Sequence, residues 1–136
     1  MREITVSASG ESIDVITELA NEELAEHSCP FVIQAKIDIV IDEICSNINN
    51  YAYDDKSGEI TFSIDVADST AILVFSDSGR QFDPTVTDDP DVTIPVSKKK
   101  IGGLGIFMTK KIMDSVEYAY ENGRNILTLK KCIAEG

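Results

Sequence analysis

The spacing of apolar residues changes several times along this chain, and each change marks an element. Ile4, Val6 and Ala8 alternate with polar residues in EITVSA, which predicts a half-buried strand over 3–8. The period then lengthens. Ile13, Ile16, Leu19, Ala20 and Leu24 fall on one helical face, after the capping residues Ser9-Gly10-Glu11-Ser12. His27-Ser28-Cys29-Pro30 ends that helix, and Ile37, Val40, Ile41, Ile44 and Ile48 predict a second one over about 31–53.

Strand spacing returns at Ile60, Phe62, Ile64 and Val66, giving a strand over 59–66. Ala67 to Thr70 turns the chain into AILVFS (71–76), whose continuous apolar run suits a central strand. Residues 77–101 hold all but one of the prolines, several aspartates and three successive lysines, and a lid over about 85–103 is expected there. A helix over roughly 104–114 follows. VEYAY, Asn122-Gly123 and NILTLKK then form a hairpin around a two-residue turn.

Strands joined by tight turns pair antiparallel, so the helices must cover one face of a common sheet. The expected fold is α+β, a two-layer α/β sandwich with a mainly antiparallel mixed sheet and helices on one face. No linker or repeat interrupts the chain, and residues 1–136 are read as a single domain.

Charge narrows the function. With 24 acidic against 12 basic residues the net charge is -12. Such a body is unsuited to binding a nucleic-acid backbone, which needs Lys and Arg against phosphates. It is equally unsuited to an anionic membrane surface. No apolar run nears the ~20 residues of a membrane span, and no apolar leader follows the opening charges. Cys29, Cys45 and Cys132 are odd in number and lack ligand spacing, so reduced thiols and a cytoplasmic location are expected, without zinc. The turn Asp54-Asp55-Lys56-Ser57-Gly58 is no calcium loop, because Tyr53 stands where the first acid belongs.

Three stretches hold candidate chemistry. In DEICSNINNYAY (42–53), Glu43, Asn47 and Asn50 lie within about 60° of one another on the helical wheel, at the edge of the buried stripe. A carboxylate there can accept a proton from a hydroxyl or water, and an Asn carbonyl oxygen suits Mg²⁺. A wetted helix edge would look the same. In DSGRQFDP (77–84), Asp77 at a strand end can accept from an exocyclic amine such as the N6 of adenine. Gly79 leaves room for a flat ring, although a plain turn uses the same residues. In KKKIGGLGIFMTKKIMD (98–114), three glycines ahead of an amphipathic helix expose backbone N–H groups beside Lys98, Lys99 and Lys100. That is a candidate phosphate site or a hinge. It is neither a P-loop nor a dinucleotide fingerprint.

Taken together, these stretches resemble the N, G1 and G2 boxes of the GHKL ATP-binding superfamily, in order and over nearly the whole chain. Within it the sequence is most similar to the small bacterial anti-sigma-factor serine kinases. The matching residues are Glu43-Ile-Cys-Ser-Asn47 with Ala52-Tyr53, Asp77-Ser-Gly79-Arg-Gln-Phe82-Asp83-Pro84, and Gly102-Gly103-Leu-Gly105. The resemblance implies the GHKL sandwich fold, ATP and Mg²⁺. It implies Glu43 as general base, Asn47 as metal ligand and Asp77 as adenine anchor, with Gly79 beneath the base. Gly102, Gly103 and Gly105 would let the lid fold over the phosphates. It further implies transfer of the γ-phosphate to a serine or threonine of an anti-anti-sigma protein, sequestration of a sigma factor, and a homodimer.

Two positions depart from the family pattern. Tyr51 stands where members often have His, and Ile101 adjoins the glycines where many have Arg. One or more of Lys98 to Lys100, Lys100 being nearest the glycines in sequence, would then have to serve the phosphates. The alternative function is a non-catalytic, nucleotide-sensitive regulatory binding module. An ordinary acidic domain with coincidental motifs is the third reading.

Overall fold

The computed structural model describes residues 1–49, 58–81, 83 and 103–134, with 103–107 described by backbone alone. In chain order the elements are β1 (Arg2–Ser7), α1 (Gly10–Glu26), α2 (Phe31–Asn47), β2 (Glu59–Ala67), β3 (Thr70–Asp77), α3 (Gly103–Ile112), β4 (Ser115–Glu121) and β5 (Arg124–Cys132). Each element predicted from the apolar spacing is present, with ends shifted by a few residues. The α-helix of α2 stops at Asn47 and passes into a wider turn at Ile48 and Asn49. The rest of its predicted span, 50–53, lies outside the described residues. So does the predicted lid, except Gly103, which is the first residue of α3.

Local chemistry explains the boundaries. Ser28 (φ 57) takes the left-handed conformation after α1, while Cys29 N–H donates to Leu24 O at 3.0 Å and Ser28 N–H to Ala25 O at 3.1 Å. That is the Schellman stop, with buried Leu24 and Cys29 as its apolar pair. At the other end Ser9 is the N-cap, yet its hydroxyl meets the Ser12 hydroxyl at 3.1 Å instead of a backbone N–H. Asn122 (φ 54) and Gly123 (φ 76) are both left-handed, as a two-residue hairpin turn requires. Asp68 and Ser69 turn β2 into β3 in the same way.

The strands form one five-stranded sheet in the order β1-β2-β3-β5-β4. All four pairings are antiparallel, so the sheet expected to be mainly antiparallel is wholly so among the described strands. AILVFS lies in β3, the middle strand, as its apolar run predicts.

Register aligns the inward side chains into rows. One row runs Ile4, Phe62, Phe75, Leu127, Tyr118 across all five strands. Phe62 and Phe75 touch with ring centroids 5.0 Å apart and planes tilted by 54°. Ile16, Ala20 and Leu24 of α1 and Ile37, Val40, Ile41 and Ile44 of α2 close over this face in one core. Between α2 and the sheet no second apolar layer is needed: this is a two-layer sandwich. The opposite face presents partly exposed Thr61, Ser63, Ser76 and Thr128.

A carboxylate closes one flank of the core. Glu23 of α1 is buried and meets Arg2 Nε of β1 and His27 Nε2, each at 3.3 Å. This ties the first strand to the last turn of the first helix.

Candidate functional site

The next inward row runs Val6, Ile60, Asp77, Asn125, and here the apolar pattern breaks. Asp77 ends β3 and is 4% exposed. A buried carboxylate needs donors. Its Oδ1 accepts from Gly79 N–H at 2.9 Å, closing a turn two residues on, and from Asn125 Nδ2 at 2.9 Å. Both bonds fall on one oxygen. Oδ2 has no hydrogen-bond partner among the described residues, which leaves a fixed acceptor at the mouth of the sheet.

Asn125 holds this arrangement. Its Nδ2 also donates to Arg80 O at 2.9 Å, and its Oδ1 accepts from Tyr118 Oη at 2.5 Å. The amide therefore ties β3, the loop after it and β4 into one network around the carboxylate. In the sequence Asn125 falls in the last hairpin strand, with no motif to mark it. The available signal was its polarity at an inward position, in step with Leu127 and Leu129.

On α2, Glu43 and Asn47 are one helical turn apart on one face, as their spacing predicts. Asn47 is 8% exposed and its side chain makes no hydrogen bond among the described residues. Its amide oxygen is therefore not engaged by the described residues. Glu43 is half-buried and likewise without a partner among the described residues. Burial pushes its carboxyl above the ordinary glutamate range, and the neighbouring Asp42 charge adds to the shift.

Gly103 and Gly105 belong to the first turn of α3, and α3 packs against α2. The expectation of a glycine loop ahead of the helix thus becomes glycines within its opening turn. Lys100, Gly102, Tyr51, Ile101, Asn50 and the other lysines of that run lie outside the described residues. Among the described residues no cluster of three His, Cys, Asp or Glu could hold a metal by itself. Mg²⁺ does not require one, because it takes few protein ligands and fills its shell with phosphate oxygens and waters. Asn47 fits that requirement.

The three thiols are free, as expected, with Cys29 and Cys45 buried and Cys132 exposed. Among the described residues no helix is long and apolar enough to cross a membrane.

An α+β sandwich with a shielded carboxylate at the end of its middle strand, and an acid-amide pair on a packed helix, is built like a nucleotide-binding domain. The chain belongs to the histidine kinase-like ATPase domain family, whose model matches residues 6–131. It is 28% identical over 96 residues to serine-protein kinase RsbW of Bacillus cereus, covering 68% of this chain. The corresponding protein of Bacillus mycoides is 27% identical over the same length. The chain spans 60% of the length of these curated relatives.

Solved structures agree on the fold. The RsbU and RsbW domains of Rv1364c from Mycobacterium tuberculosis match all of this chain and 34% of that one, with TM-score 0.67 and 17% identity. The catalytic domain of histidine kinase ThkA matches over the full length of both, with TM-score 0.58 and 12% identity.

Proposed function

We propose that this domain binds Mg·ATP, transfers the γ-phosphate to a serine or threonine of an anti-anti-sigma-like regulatory protein, and sequesters a sigma factor. The observation that carries the reading is Asp77, a shielded carboxylate with one oxygen tied down and the other open. Adenine presents an N6 amino donor that such an oxygen accepts, and guanine presents a carbonyl oxygen there that it repels. The family match and the serine-kinase relatives support the same reading.

In this proposal Gly79 lies beneath the adenine ring, and Asn125 keeps the Asp77 carboxylate from rotating. Asn47 supplies an amide oxygen to Mg²⁺, whose charge offsets that of the phosphates. Gly103 and Gly105, with Gly102 and Lys100 ahead of them, serve the phosphates through backbone N–H groups and a cation at the start of α3. Glu43 takes the proton of the acceptor hydroxyl as its oxygen bonds to the γ-phosphorus and the bond to the ADP oxygen breaks. The raised proton affinity of Glu43 makes it a stronger base than an ordinary surface glutamate. The whole of 1–136 acts as one domain, and a homodimer is its proposed assembly.

The test is transfer from γ-labelled ATP to a purified anti-anti-sigma protein of the same organism. Label on its serine or threonine, lost in Glu43→Gln, supports the kinase. ATP binding without label on any acceptor favours a regulatory binding module, the reading open to a chain whose base is present but unused.

A further inference from the structure

The outward side of α2 is unusually apolar for a protein with net charge -12. Among the described residues no large apolar side chain is more exposed than Phe31, at 82%, and Val32 (64%) and Ile39 (49%) follow on the same helix. Phe31, exposed Ala35 and Ile39 succeed one another at four-residue intervals. The next two members of that row are Glu43 and Asn47. Rows of this spacing form a continuous ridge on a helix surface. The ridge therefore begins about 18 Å from Glu43, at 1.5 Å per residue, and leads directly into it.

Its flank toward α1 is acidic, while exposed Lys36 lies on the other side. Asp42 is exposed beside the row, and Lys36 is the one cation of α2. On the α1 side lies a shallow groove of about 550 Å³ lined by Asp14, Glu18, Glu22 and Gln34, among others. α1 contains no basic residue.

We propose that the Phe31–Ala35–Ile39 ridge is the docking surface for the phosphoacceptor polypeptide, and that this polypeptide carries apolar and cationic side chains around its hydroxyl. The inference rests on the kinase reading and adds the chemistry of the partner. Apolar side chains seated on the ridge would place a hydroxyl beyond them at Glu43. Lysine or arginine would meet the acidic flank on the α1 side, which steers association and selects against acidic partners. A second copy of this chain is a poorer occupant, since Asp42 and the α1 acids would then face their own kind.

The test uses the isotope-labelled chain and two short peptides. One has a central serine flanked by leucines and lysines; the other has glutamate in place of each lysine. Amide shifts are recorded on titration, then again in the double variant Phe31→Ser, Ile39→Ser, with its thermal unfolding checked. The expected result is that the lysine peptide moves Phe31, Ala35 and Ile39, the glutamate peptide binds more weakly, and the double variant loses about tenfold or more in affinity. Shifts confined to other surfaces, none at millimolar peptide, or unchanged affinity in the variant overturn the proposal. So does a concentration-dependent dimer, without peptide, that the double substitution abolishes. Mg·ATP is titrated in the same samples. A response at Asn47 and Asp77 with a silent ridge sinks the docking surface alone. A responding ridge with no ATP response sinks the nucleotide reading, and the acceptor role falls with it.

Discussion

Asn125 of β5 donates its amide to Oδ1 of Asp77 of β3 across a 2.9 Å hydrogen bond. Through that bond the strand register decides which carboxylate oxygen is held and which faces outward. A rotating carboxylate would offer either oxygen at random angles. Fixing it turns a buried charge into a directional acceptor.

Asn125→Ala is expected to weaken ATP binding about tenfold and to lower stability by about 1–2 kcal/mol, the cost of stripping donors from a buried carboxylate. Calorimetric titration and denaturant unfolding measure the two effects separately. Full ATP affinity in the variant would show that Asp77 is oriented by other means.

Asn47→Leu separates folding from binding. The native amide is shielded and unpartnered, so replacing it with an apolar group should leave the free chain's stability unchanged or raise it by up to about 1 kcal/mol. The same variant should lose most of the stabilisation that Mg·ATP gives the parent. A variant that is stabilised by Mg·ATP as strongly as the parent would remove Asn47 from the metal site.

Glu43→Gln should reduce phosphoryl transfer by about 10²–10⁴-fold, the usual contribution of a general base. Its stability effect has a definite sign. Because the folded-state proton affinity is raised, the neutral form is the one the fold favours. That contribution is present below the unfolded-state value and is lost as pH rises through the folded one. Gln mimics the neutral form, so the variant should melt higher than the parent near pH 7, with the difference vanishing once the parent's carboxyl is protonated in both states. Transfer by the parent should fall on acidification at a pH above the ordinary glutamate range. A lower melting temperature at pH 7 would contradict this assignment of burial.

Thiol chemistry tests the packing. Burial, with the Asp42 charge adding to it, pushes the Cys45 thiol up to about 12, and burial also raises Cys29. A thiol-specific reagent at pH 8 should therefore modify exposed Cys132 quickly and reach Cys29 and Cys45 only on unfolding. Rapid labelling of all three in the native chain would contradict the core described above.

Much of this architecture was legible in the sequence because the apolar period is a direct record of burial. Ile60, Phe62 and Ile64, and the Asn122-Gly123 turn, announced their strands without ambiguity. Glu43, Asn47 and Asp77 were visible as polar residues where burial was expected. The Asp77–Asn125 bond was not. β5 lies between β3 and β4, so the strand that completes the site reaches it by a crossover, and no local pattern encodes which distant strand will pair with which. The widening of α2 at Ile48 and Asn49 has no sequence signal either, because Ile44 and Ile48 continue the apolar spacing past Asn47. The exposed ridge is hidden in the sequence for a related reason: Phe31, Val32 and Ile39 look like core residues until the packing shows which side is covered.

The most direct test of the account is thermal unfolding of the chain and of Asp77→Asn, each with Mg·ATP, with Mg·GTP and without nucleotide. Asparagine retains an oxygen for Gly79 but replaces the outward acceptor with a donor. At about 100 times the dissociation constant, ligand adds about 2.7 kcal/mol, a shift of several degrees for a domain of this size. The account predicts that shift for the native chain with Mg·ATP, little with Mg·GTP, and its loss with Mg·ATP in Asp77→Asn. No shift at millimolar Mg·ATP, or an equal shift in the variant, would contradict it.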